Sequence, residues 1–104
     1  MSETNWPELH DKTLRYQDQT WRLTGEVDVR DRGTVLAVTA IKDDDVRREE
    51  ATLYFESESG EDSLNPGNLG EHFDRLETTE RHQYLIVKKE RRTYRYELRR
   101  LEYA

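Results

Sequence analysis

Apolar and polar residues alternate with a period of two over much of this chain, which is the pattern of half-buried β-strands. Leu14-Arg15-Tyr16 is the first such stretch, and Gln17-Asp18-Gln19 can turn it into a hairpin. In residues 20–30, Trp21 and Leu23 share one face with Val27 and Val29, while Arg22, Asp28 and Arg30 point away. Gly25 interrupts this long strand, and a glycine there marks a bulge or a sharp bend. Asp31-Arg32-Gly33 reads as a turn with a positive φ at the glycine. Residues 34–41 are almost continuously apolar, as in a central strand buried on both faces or carrying small residues on its outer face. Residues 42–48 are a charged connection, and residues 50–56 are the next strand of a meander.

Residues 57–70 are rich in Ser, Glu, Gly and Asn and read as a linker, mobile over 57–67. After it, Asn68 and Glu71 resemble a capping box, and Leu69, Phe73 and Leu76 fall at i, i+4 and i+7, which predicts a short helix. Residues 83–88 are a strand, Lys89 to Arg92 a charged hairpin loop, and residues 93–98 a strand with Tyr94, Tyr96 and Leu98 on one face. Beyond Arg99-Arg100 the apolar phase slips to Leu101 and Tyr103, as one extra residue in a β-bulge would cause. Residues 1–12 read as an N-terminal tail or a short helical turn; its Trp6 either folds back over a barrel end or meets a partner.

The expected fold is therefore mainly β with one short helix, a small antiparallel β-barrel over residues 13–104. Its element order β-β-β-α-β-β resembles that of an OB-fold, with the segment near Leu14 as an additional N-terminal strand. Closing the sheet removes exposed edges. The expected core is Trp21, Leu23, Val27, Val29, Leu36, Val38, Leu53, Phe55, Phe73, Leu76, Leu85, Val87, Tyr96 and Leu98.

Composition narrows the class. Leu, Ile, Val and Phe together make only 21 of 104 residues, so the core must be a single compact cluster. There is no cysteine, which excludes disulfides and thiolate metal sites. Nor is there an apolar run long enough for a membrane helix. Met1 to Asn5 lacks the basic start and apolar stretch of a secretory signal, so a cytoplasmic protein is expected. With 23 acidic against 17 basic residues, 13 of them Arg, the balance looks halophilic; a GC-rich genome would also favour Arg over Lys.

Charge is also uneven along the chain. Residues 1–80 hold 9 basic and 20 acidic side chains; residues 81–104 hold 8 and 3. The basic C-terminal hairpin, with Lys88, Lys89, Arg91, Arg92, Arg95, Arg99 and Arg100 among tyrosines including Tyr94, is the candidate binding surface. Its cations could neutralise phosphates while its rings stack on bases of single-stranded nucleic acid. Alternatively, the tyrosines are core and the cations pair with Glu across strands. In a further reading the same basic hairpin docks the acidic surface of a partner protein or of a second copy, as an interaction or accessory domain with no nucleic-acid role.

Catalytic signals are weak. Asp43-Asp44-Asp45 lacks the ligand spacing of a calcium loop. His10, His72 and His82 are scattered, and the serines lie in tail or linker text. Gly67 and Gly70 lack the strand and lysine of a phosphate loop. A non-enzymatic binding module without cofactor or metal is the expectation.

Overall fold

The computed structural model describes residues 3–42, 49–58, 72–89 and 91–103. They form eight strands: β1 (Glu3–Asn5), β2 (Thr13–Tyr16), β3 (Gln19–Arg30), β4 (Val35–Lys42), β5 (Glu50–Ser57), β6 (Phe73–Thr78), β7 (Gln83–Lys89) and β8 (Arg92–Tyr103). All pairings are antiparallel, in the order β1-β3-β4-β5-β8-β7-β6, with β2 also on β3. Two three-stranded meanders thus lie side by side through β5 and β8, and the sheet curls into a half-barrel. The expected linker over 57–67 lies mostly outside the described residues, as do Asp43–Asp45, Asn68, Leu69 and Glu71.

The loop expected over Lys89 to Arg92 is shorter in the structure, because Lys89 and Arg92 pair within β7 and β8. The other two turns expected from sequence are present. Gln17 and Asp18, with φ of 53° and 62°, form the two-residue turn between β2 and β3, in which both central residues are left-handed. Asp31, Arg32 and Gly33 all have positive φ between β3 and β4.

Phe73 and Leu76 lie in a strand, which corrects the helix expected from their spacing; the described residues contain no α-helix, only 3-10 conformation at Pro7–Leu9, Asp31–Gly33 and His72. The OB-like order therefore lacks its helix at the described part of that position. Phe73 pairs with Val87 but Arg75 with Ile86, so Asp74 is one extra residue. A single bulge brings two residues three apart onto one face, and that spacing imitates a helix. The same device in β8 matches expectation: Leu98 pairs with Phe55 and Arg100 with Tyr54, leaving Arg99 extra.

At Gly25 the bulge is larger. Leu23 pairs with Ala40 and Val27 with Val38, so four steps along β3 oppose two along β4. Gly25 has φ +97°, and its carbonyl accepts the Trp6 N–H at 2.7 Å. A Cβ there would meet the Trp6 carbonyl oxygen and Asn5 Oδ1 at 3.2 Å. Glycine thus lets the chain between β1 and β2 cross the kink closely. Thr24 Oγ1 accepts the displaced Glu26 N–H at 3.2 Å.

The core contains every residue expected there, with Leu76 only partly buried at its margin. Trp6, Leu9, Leu14, Ala40 and Ala51 join it. The N-terminal segment is thereby part of the domain: Trp6 folds back, 1% exposed, with its ring centroid 6.2 Å from that of Phe73. In β4, Leu36, Val38 and Ala40 face the core; the other face carries small Ala37 and Thr39 at its centre, Ala37 itself buried, and half-buried Val35 and Ile41 at its ends, so both readings of residues 34–41 hold in part.

The curled sheet brings its two ends together without a backbone ladder. Gln83 Nε2 donates to the Arg15 carbonyl at 2.9 Å, and Tyr16 donates its hydroxyl to the Arg99 carbonyl at 3.2 Å. With the Trp6–Phe73 contact, these side chains tie the β1–β2 end to the β6–β7–β8 end. No described helix is long and apolar enough to cross a membrane.

Candidate binding surface on the β7–β8 hairpin

The C-terminal residues do pair as extended segments. Tyr84 faces Glu97, Leu85 faces Tyr96, Ile86 faces Arg95, Val87 faces Tyr94, Lys88 faces Thr93 and Lys89 faces Arg92. Alternation puts Leu85, Val87, Tyr96 and Leu98 in the core, with Tyr94 packed partly buried against it. Tyr96 is fully buried. Of the strand tyrosines expected to offer stacking rings, Tyr94 and Tyr96 thus turn inward, while Tyr84 lies on the outer face. Tyr103, the one large hydrophobic residue exposed among those described, sits with its ring 5.8 Å from that of Trp21.

The outer face of β8 is a web of paired charges. Arg95 reaches Glu77 at 3.5 Å and lies 4.4 Å above the Tyr84 ring. Arg99 meets Glu97 at 3.5 Å, and His82 Nδ1 meets the same carboxylate at 2.9 Å. Glu97 lies directly opposite Glu56 on β5, and the Arg99 guanidinium offsets this like-charge juxtaposition. Arg100 pairs with Glu102 at 3.1 Å and stacks 4.2 Å over Tyr54, whose hydroxyl donates to Glu102 at 3.1 Å. Arg30 lies 5.6 Å from the same ring and pairs with Asp28 at 2.7 Å. Its hydrogen bond to Asp28, aided by that carboxylate's charge, raises the guanidinium pKa above its ordinary value. Arg75 is raised likewise by hydrogen bonds to Glu77 and Asp74.

The hairpin end differs. Lys88, Arg91 and Arg92 are exposed and Lys89 is half-buried. None of the four forms an ion pair with a described carboxylate, and Lys89 and Arg92 stand directly opposite each other. Like charges in such a register are unfavourable by a few tenths of a kcal/mol to about 1 kcal/mol. The seven expected cations therefore split into three that are paired along the strand (Arg95, Arg99, Arg100) and four gathered at its turn.

The other candidate chemistry stays dispersed. His10 sits by Asp11 at 3.3 Å on the surface, and His72 is half-buried ahead of β6. No group of three or more His, Asp or Glu among the described residues could hold a metal ion. Sequence reasoning missed the His82–Glu97 and Arg95–Glu77 pairs, whose only local sign is the alternation Arg95-Glu97-Arg99. The chain matches no family model, and no curated protein or solved structure shows significant similarity to it.

Proposed function

We propose that the protein is a non-enzymatic cytoplasmic binding module that docks an acidic surface of a partner protein through the β7–β8 hairpin end. The observation that carries this reading is the contrast along one hairpin. Arg95, Arg99 and Arg100 have carboxylate partners, whereas Lys88, Lys89, Arg91 and Arg92 lie close in sequence at the turn without any described one, Lys89 and Arg92 on one face of the hairpin and Lys88 on the other. An acidic partner would supply the missing counter-charge and relieve the Lys89–Arg92 juxtaposition.

Single-stranded nucleic acid is the second reading, favoured by Tyr94. This ring is partly exposed on the same face as Lys89 and Arg92, two residues from Arg92. One ring sharing its face with two cations is a minimal platform for an unpaired base. The inward turn of Tyr96 and the capping of Tyr84 by Arg95 weigh against a longer stacking track.

Fluorescence anisotropy with a labelled oligoglutamate peptide and a labelled single-stranded oligonucleotide, at several salt concentrations, tests both. The expected result is salt-sensitive binding of the peptide that the Arg91→Glu/Arg92→Glu variant abolishes. Tighter binding of the oligonucleotide, with a log–log salt slope of about −0.7 per neutralised phosphate, would favour the second reading. Binding of neither ligand removes both.

A further inference from the structure

A cleft of about 470 Å³ opens where the two ends of the curled sheet meet. One wall is the β2–β3 hairpin, with Arg15, Tyr16 and Asp18; the other is the β6–β7 turn, with Glu80, Arg81 and His82. It lies at the opposite end of β7 from the basic hairpin turn. Its size falls within the range of small-molecule sites.

Apart from the exposed Gln17 amide, the neutral polar groups of this cleft already have partners. Thr78 Oγ1 and Gln83 Oε1 are 2.7 Å apart, and Gln83 Nε2 donates to the Arg15 carbonyl. Thr79 N–H donates to the His82 carbonyl at 2.9 Å, and the Tyr16 hydroxyl donates to the Arg99 carbonyl. His82 holds Glu97. The charged groups are the exception. Arg15, Asp18, Glu80 and Arg81 are exposed, and none makes an ion pair or side-chain hydrogen bond with a described residue. Each wall therefore presents one cation and one carboxylate, and the two signs do not neutralise each other.

We propose that this cleft binds a small zwitterion of the α-amino-acid type. Its carboxylate would meet a guanidinium from Arg15 or Arg81, and its ammonium group would meet Asp18 or Glu80. A simple anion or cation would satisfy one pair of charges and be repelled by the other; a molecule with both poles satisfies both. The Tyr16 ring gives the wall an apolar surface for the ligand's body. Because the walls belong to opposite ends of the sheet, a bound zwitterion also bridges the seam. Binding to the folded chain alone raises thermal stability by mass action.

Amide chemical shifts and the melting temperature of the full chain, titrated with the neutral protein α-amino acids, test this. Acetate and methylammonium serve as single-pole controls. At least one amino acid should give saturable shifts confined to residues 15–18 and 78–83 and raise the melting temperature, while acetate and methylammonium give neither. Arg15→Gln/Arg81→Gln and Asp18→Asn/Glu80→Gln each remove the partners of one pole from exposed positions; both should weaken binding at least about tenfold. The absence of saturable shifts for every amino acid overturns the proposal. So does acetate binding as tightly as the best amino acid, unchanged affinity both in an Arg15→Gln/Arg81→Gln variant and in an Asp18→Asn/Glu80→Gln variant, or shifts restricted to the β7–β8 turn.

Discussion

The hydroxyl of Tyr96 donates a 2.5 Å hydrogen bond to the carbonyl of Gly33, 63 residues away in sequence. Tyr96 is wholly buried, and Gly33 closes the left-handed turn between β3 and β4. One core side chain thus fixes that turn against β8. Tyr96→Phe keeps the ring and strands the carbonyl, so a loss of about 1–2 kcal/mol is expected. Urea unfolding should show this as a lower midpoint with an unchanged slope.

Gly25→Ala forces a side chain onto a backbone with φ +97° and into contact at 3.2 Å with the Trp6 carbonyl. Strain of about 1–3 kcal/mol is expected. Accelerated amide exchange should concentrate at Asn5, Trp6 and Glu26, where the chain crosses the kink. A substitution as silent as a surface change would refute this role for the glycine.

Trp6 carries a large share of the first twelve residues' packing. Trp6→Ala should cost about 3–5 kcal/mol, a substantial part of the stability of a domain this size. Its indole N–H is buried without a protein acceptor, so Trp6→Phe, which removes that donor and keeps an aromatic body, should cost clearly less. Calorimetry on the two variants ranks them.

Lys89 and Arg92 predict a trade between stability and binding. Arg92→Glu converts a like-charge cross-strand pair into an opposite-charge one and should stabilise the fold by about 0.2–1 kcal/mol. The same change should weaken capture of the acidic peptide. Stability and affinity moving in the same direction would contradict the proposed use of the hairpin end.

With a formal charge of −6, the chain repels itself at low ionic strength. Its melting temperature should rise as NaCl is added from about 10 mM, where the Debye length is near 30 Å, to about 1 M, where it is near 3 Å. A flat profile would remove the salt-adapted reading of the composition.

Much of this architecture was legible along the chain because alternation is a local signal. Trp21, Leu23, Val27 and Val29 declare one face of β3, and the slip from Leu98 to Leu101 declares the extra residue in β8. Phe73 and Leu76 misled for the same reason: a bulge at Asp74 gives strand residues a helical spacing. Trp6 and Leu9 carry no period, since they sit beside and within a single 3-10 turn whose burial depends on distant β3 and β6. The candidate surface was half legible. Tyr94 and Tyr96 share the parity of Leu98, which foretells their inward turn. The partners of Arg95 and His82 depend on which strands become neighbours, and no local pattern encodes that β8 lies between β5 and β7.

The Gly25 kink adds an even number of residues to β3, so Leu23 before it and Val27 after it keep the same orientation. The insertions in β6 and β8 are odd and invert it. Length variation in relatives of this chain should therefore be quantised at the kink: gaps or insertions of two residues would survive selection there. Single-residue ones would turn half of the longest hairpin inside out.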